Sequence, residues 1–168
     1  MARPAKQTKF GRFLHNHPHW LELAYDVTVK LFGKLDPVIE KIGYAKADKL
    51  LKKPEHWVKS ALFDCRMCGQ CVLHSTGMTC PMTCPKTLRN GPCGGVRQDG
   101  GCEVFPEMQC VWVAAFAGSQ KMPLYGAEIQ QVNPPVNGQL DGQSAWITQL
   151  TGQDRSLPKG WVALERVL

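Results

Sequence analysis

The residues of this sequence best equipped for chemistry are eight cysteines: Cys65, Cys68, Cys71, Cys80, Cys84, Cys93, Cys102 and Cys110. They are all the cysteines the chain has, and they fall within one short stretch. Thiolates are soft ligands for iron and zinc, and in a reducing compartment such density points to metal rather than disulfides. Asp64-Cys65-Arg66-Met67-Cys68-Gly69-Gln70-Cys71 has the form C-x2-C-x2-C. Three thiolates from such a turn can reach three corners of a cubane [4Fe–4S] cluster, and the fourth arrives from farther along the chain. Cys80-Pro81 and Cys84-Pro85 repeat the Cys-Pro pairing of remote cluster ligands, where proline fixes the turn and brings no N–H of its own. Asn90-Gly91-Pro92-Cys93-Gly94-Gly95 sets three glycines around one cysteine, which opens the backbone to positive φ and to close approach.

Eight thiolates make two sets of four, so the spacing favours two [4Fe–4S] clusters and leaves open which cysteines share one. Zinc is the alternative, as two all-thiolate sites or as one cluster plus zinc. Zinc knuckles pair cysteines at short gaps, and only the first triplet here has them. His74 lies inside the cysteine zone but is surplus to two sets of four, so it is read as a neighbour of the ligands or a surface residue. His15, His17 and His19 surround Pro18 at a spacing that suits neither face of a helix, and His56 also lies outside the zone.

The elements that must position these sulfurs are legible in outline. The expected fold is small and mostly α, with irregular, metal-organised cysteine-rich loops. It divides into a basic helical segment (1–63), a cluster-binding centre (64–118) and a linker with a docking tail (119–168). Asn16 or His17 with Pro18 reads as a helix start, and Gly33 as its end. Asp36-Pro37 repeats the start signal, Gly43 breaks or bends that second helix, and Pro54 opens a third. Val111–Ala117 is a short helix or a buried strand, which periodicity cannot separate at that length. Gln131-Val-Asn-Pro-Pro-Val-Asn-Gly138 has the composition of an extended linker. A short helix around Ser144–Leu150 docks through Trp146 and Ile147, and Trp161, Val162 and Leu164 give the end a further apolar anchor.

Composition bounds the rest. Hydrophobic residues make up 43% and charged residues 20%, a globular balance. The net charge of +6 is concentrated upstream: residues 1–60 hold twelve Lys/Arg against six Asp/Glu, and the remainder holds eight of each. No arginine-rich run or aromatic nucleic-acid motif accompanies it, so no nucleic-acid partner is expected. No stretch is long and apolar enough for a membrane span, and the N-terminus shows no secretory h-region, so the expected location is cytoplasmic. Nor is there a G-x-G-x-x-G, a P-loop, or length for a barrel of about 250 residues.

Taken in order, Asp64-Cys-Arg-Met-Cys-Gly-Gln-Cys, Cys80-Pro-Met-Thr-Cys-Pro-Lys, Asn90-Gly-Pro-Cys-Gly-Gly, Gly101-Cys-Glu-Val and Cys110-Val-Trp-Val resemble one known family. It is the cysteine-rich domain named after the C-terminus of methylenetetrahydrofolate reductase. The resemblance is close over roughly 60–118 and looser in the tail, at Ser144-Ala-Trp-Ile and Gly152-Gln-Asp-Arg. It implies an iron–sulfur electron-transfer subunit in one-carbon metabolism, with the eight cysteines as cluster ligands. The partner it implies is a flavin-bearing TIM-barrel subunit, FMN or FAD lying there alone, which interconverts methylenetetrahydrofolate and methyltetrahydrofolate. The electron donor is unspecified, and no folate, flavin or catalytic residue carries over. Two other functions fit the residues: a structural metal-binding subunit without electron flow, and a ferredoxin-like carrier for another one-carbon enzyme. The basic helices and the tail, with Trp20, Trp57, Trp146 and Trp161, are the candidate partner interface.

Overall fold

His17 caps and Pro18 opens a 25-residue helix, α1 (Pro18–Ile42), in a computed structural model that describes residues 13, 14 and 16–161. Proline suits that place because the first-turn N–H has no helical partner to lose. Gly33 does not end this helix and Asp36-Pro37 does not start another: α1 runs through both. A helical proline leaves the carbonyl four residues back without its hydrogen bond and crowds it. For Pro37 that carbonyl belongs to Gly33, which is exposed and has no side chain to crowd the ring. Gly43 is the true break, with φ 92° and ψ 123°. Helix α2 (Tyr44–Phe63) then runs through Pro54, which likewise opens no new helix. The carbonyl that Pro54 orphans belongs to Leu50, and both residues are exposed.

The stretch after Cys110 is helical: α3 spans Val111–Ser119. Helix α4 (Ala145–Leu150) follows Ser144 at its N-cap. Five short 3-10 turns lie among the loops, and the described residues contain no strand, only one antiparallel bridge, Gly101 to Gln109. The architecture is mostly helical with irregular cysteine-bearing loops, as expected.

Two apolar clusters hold the helices together. Phe63, Leu73, Met78 and Met122 form one, against which Leu21, Tyr25, Cys71 and Cys80 pack. Ile39, Ala47 and Ile147 form the other, with Phe32, Tyr44, Leu51 and Leu150 around them. Helix α4 docks through the two residues the sequence singles out: Ile147 enters this cluster, and Trp146 stacks on Phe32 with centroids 5.1 Å apart and planes 9° apart. The loop before α3 and α3 itself meet at glycines. A Cβ on Gly77 would strike the Ala115 carbonyl, and one on Gly118 would strike the Gly77 carbonyl. Trp161 is 62% exposed; Val162 and Leu164 lie outside the described residues.

Most acids of the two long helices turn inward and most of their lysines outward, Glu40 and Lys59 being the exceptions. Glu22 is fully buried and accepts from the Leu124 and Tyr125 N–H groups at 2.9 and 2.6 Å. Asp26 accepts from the Tyr125 hydroxyl, Asp36 from that of Tyr44, and Asp48 from the Ser144 N–H. Glu55 is buried against Lys59 and the start of α4. By contrast Lys30, Lys34, Lys41, Lys46, Lys49 and Lys53 are exposed. Between them α1 carries an exposed apolar stripe at helical spacing: Trp20, Leu23, Val27, Leu31, Leu35, Val38 and Ile42.

Candidate metal centre

Left-handed backbone at the end of α2 starts the cysteine loops. Asp64, the C-cap, has φ 50° and ψ 47°; Met67 follows with φ 50° and Gly69 with φ 69°. Such conformations are uncommon outside glycine, and three so close together wind the chain tightly enough to aim Cys65, Cys68 and Cys71 into one cavity. Gly69 is indispensable to that path, because a Cβ there would collide with the Leu140 carbonyl oxygen. Gln70, almost wholly buried, pins the loop to the tail: its amide donates to the Asp154 carbonyl at 2.8 Å and accepts from Asn137 N at 2.7 Å. The linker-like run is held in the same way, by paired bonds between Asn90 and Asn133.

Cys80 joins the first three. A cavity beyond α2 is lined by Cys65, Cys68, Cys71 and Cys80, with Glu55, Lys59, Gln70 and Arg89 among the polar residues of its wall. The 3-10 turn Pro81–Thr83 separates Cys80 from Cys84, and Cys84 faces elsewhere. A second cavity is lined by Cys84, Cys93, Cys102 and Cys110, with Lys86, Glu103 and Trp112. Cys102 and Cys110 converge there because the Gly101–Gln109 bridge folds the loop back, Cys102 N donating to Met108 O and Cys110 N to Gly100 O. Trp112 fixes the facing loop by donating to the Leu88 carbonyl at 3.0 Å. Of the three glycines around Cys93, only Gly91 has positive φ; the Glu103 carboxylate lies where a Cβ on Gly95 would stand.

The two cavities differ electrostatically. In the first, burial pushes the Cys65 thiol up to about 11, and it raises Cys68 and Cys80 as well, with neighbouring cysteines adding to the effect. Lys59 is 8% exposed and ion-paired to Glu55 at 2.5 Å, and its Nζ sits 4.4 Å from the centre of the Trp146 ring. Burial disfavours its charge, but the Cys71 sulfur and Glu55 outweigh that and hold it protonated. Arg89 is 6% exposed, donates from Nη2 to the Gln70 carbonyl at 3.0 Å, and leaves Nε and Nη1 with no acceptor. In the second cavity the cation is Lys86, paired to Glu103 with both side chains well exposed. The Glu103 carboxylate also accepts from Cys93 Sγ at 3.6 Å.

All eight cysteines are free, and among the described residues no group of three or more His, Cys, Asp or Glu is gathered as a site for a single metal ion. His74 lines neither four-cysteine cavity; its Nδ1 meets Glu128 at 2.6 Å and its ring lies against Tyr25 and Tyr125. It borders a polar cleft of about 370 Å³ whose wall includes Cys71, Arg89, Asp154 and Arg155. His17 is the N-cap of α1, while His15 lies outside the described residues. Glu55 and Lys59 stand at i, i+4, a local pairing signal, but their burial, that of Arg89 and the pairing of Glu103 with Lys86 follow only from long-range packing.

No described helix is long and apolar enough to cross a membrane. A family model described as methylene-tetrahydrofolate reductase C terminal matches residues 44–139, a span that holds every cysteine of both cavities. No curated protein and no solved structure matches the chain.

Proposed function

The chain belongs to the methylene-tetrahydrofolate reductase C-terminal family, and on that premise we propose that it is the iron–sulfur subunit of such a reductase, holding two [4Fe–4S] clusters. Cys65, Cys68, Cys71 and Cys80 hold one; Cys84, Cys93, Cys102 and Cys110 hold the other. The observation that carries the proposal is the division of the eight sulfurs into two cavities of four, matching the ligand count of two cubanes. When bound, such a cluster supplies one-electron transfer.

The chain's own residues suit two anionic groups. Lys59 and Arg89 bring buried positive charge to the first cavity, and two nitrogens of Arg89, Nε and Nη1, have no protein acceptor. A buried donor without an acceptor costs free energy, which a sulfur-rich anion in the cavity relieves. Gly69 lets the backbone pass where a side chain would collide with the Leu140 carbonyl. Partial burial raises the Cys65, Cys68 and Cys80 thiols, which resist ionising until a metal displaces the proton.

The partner in this reading is a flavin-bearing barrel subunit, docked on the outward face of α1 and α2. Apolar Trp20, Leu23, Val27 and Leu31 are exposed together there, Trp57 is exposed on α2, and lysines flank them while the nearby acids face inward. An apolar patch with a cationic rim fits a protein surface whose own rim is acidic.

Anaerobic protein tests the proposal directly. It should contain about eight iron and eight acid-labile sulfide per chain, four per cubane. It should bleach with dithionite, give a paramagnetic reduced state, and pass electrons to the flavin of a co-purifying partner. Stoichiometric zinc in colourless protein would overturn it and leave a structural metal subunit. Clusters that reduce but never reoxidise through the partner flavin would remove the electron-transfer half.

A further inference from the structure

Resting on the two-cluster reading, we propose that Arg89 is the charge-setting residue of the first centre, a positioning residue whose uncompensated guanidinium makes that centre easier to reduce.

Charge compensation among the cavity walls singles it out. The first cavity has two cations and one acid: Lys59 is neutralised by Glu55 at 2.5 Å, and Arg89 has no acidic partner among the described ion pairs. The second has one of each, Lys86 and Glu103, paired to each other. The first centre therefore keeps one positive charge in its wall and the second keeps none. Arg89 is also buried, at the wall between this cavity and the polar cleft that holds Asp154. Its side chain is 6% exposed, one nitrogen is engaged by the Gln70 carbonyl, and Nε and Nη1 are without an acceptor. An unpaired buried cation is costly unless an anion lies nearby. Arg89 shares the wall of this cavity with Cys68 and the other three cysteines.

The chemistry is an equilibrium shift. The centre takes one electron from a low-potential donor such as a reduced viologen, with no bond made or broken, and becomes more negative by one charge. A fixed buried cation stabilises the added charge more than the initial one, because buried charges are weakly screened. Lys86 and Glu103 offer no such bias to the second centre, being paired and two-fifths exposed.

The test is a stepwise reductive titration of the anaerobic full chain, followed by absorbance and electron paramagnetic resonance, in the natural sequence, R89Q and R89K. In R89Q one of the two centres should become at least tenfold harder to reduce, about 59 mV for one electron, while the other stays put. R89K, whose compact ammonium lacks the planar fork, should shift the same centre in the same direction by about threefold. Unchanged equilibria in an iron-loaded R89Q would overturn the proposal, as would equal shifts at both centres. If R89Q fails to assemble, R89K decides alone, and an unmoved first centre there overturns it. Absence of iron from the natural sequence would instead defeat the two-cluster reading itself.

Discussion

Cys80 and Cys84 stand at the two ends of one 3-10 turn, Pro81–Thr83, and face different cavities. The turn is closed by Thr83 N donating to Cys80 O at 3.1 Å and Cys84 N to Pro81 O at 3.0 Å. A 3-10 turn rises about 2.0 Å per residue, so the two centres share a wall only a few residues thick.

Replacing either cysteine should therefore separate the centres. C80S should lose about four of eight irons, and C84S the complementary four. The remaining half should differ in its reduced paramagnetic spectrum between the two variants. Identical residual spectra, measured on anaerobic protein with iron and sulfide counted, would contradict the division of sulfurs.

Gly69→Ala should damage the first centre selectively. It asks an alanine to adopt φ 69° and to share space with the Leu140 carbonyl. The left-handed strain costs about 1–3 kcal/mol before any clash. Lower resistance to denaturant and loss of the iron tied to Cys80 should follow, whereas Gly94→Ala, with open space at that position, should change neither.

Alkaline pH should destabilise the metal-free chain under reducing conditions. The folded Cys65 thiol is raised from 9.0 to about 11, mainly by burial, and Cys68 and Cys80 shift the same way. The unfolded chain ionises these thiols near 9 while the folded chain keeps them protonated, so stability is fully present below pH 9. It declines as pH rises toward 11. Cys65 alone accounts for up to about 2–3 kcal/mol of that loss, and C65S should flatten this part of the profile. Denaturant melts at pH 8 and pH 10.5 check it. Metal loading, which needs thiolates, should show the opposite trend.

A carboxylate placed on the outward face of α1 should weaken the partner complex without disturbing the fold. Leu31 is 51% exposed and Val27 63% exposed, so L31E and V27E remove no core contact. Binding of the flavoprotein should fall by on the order of tenfold or more, with iron content and melting temperature unchanged. Unaltered co-purification would rule out this face.

Much of the fold was legible because its signals are local. His17-Pro18 marks the start of α1, and Trp146 and Ile147 dock α4 as their apolar character suggests. The misread boundaries, at Gly33, Asp36-Pro37 and Pro54, share one cause. Proline ends a helix when the carbonyl it orphans has nowhere to go, and here both such carbonyls belong to exposed residues, which a residue string does not disclose. The eight cysteines could be counted from the sequence, but their partition depends on a three-residue turn that reverses the aim of neighbouring sulfurs. Arg89 was invisible for a related reason. Nothing local distinguishes it from a surface arginine, and its burial arises where the loop meets Gln70 and the tail.

Glu22 bears on how the polypeptide can be dissected. Its sealed carboxylate grips two amides 102 and 103 positions away, across the point where the family match begins at residue 44. A fragment trimmed to that starting point would leave the Leu124 and Tyr125 N–H groups bare and strip cover from Met122. The edge of a recurring sequence pattern is thus a poor place to cut, and an excised cysteine region should prove sticky and short-lived where the longer chain is well behaved.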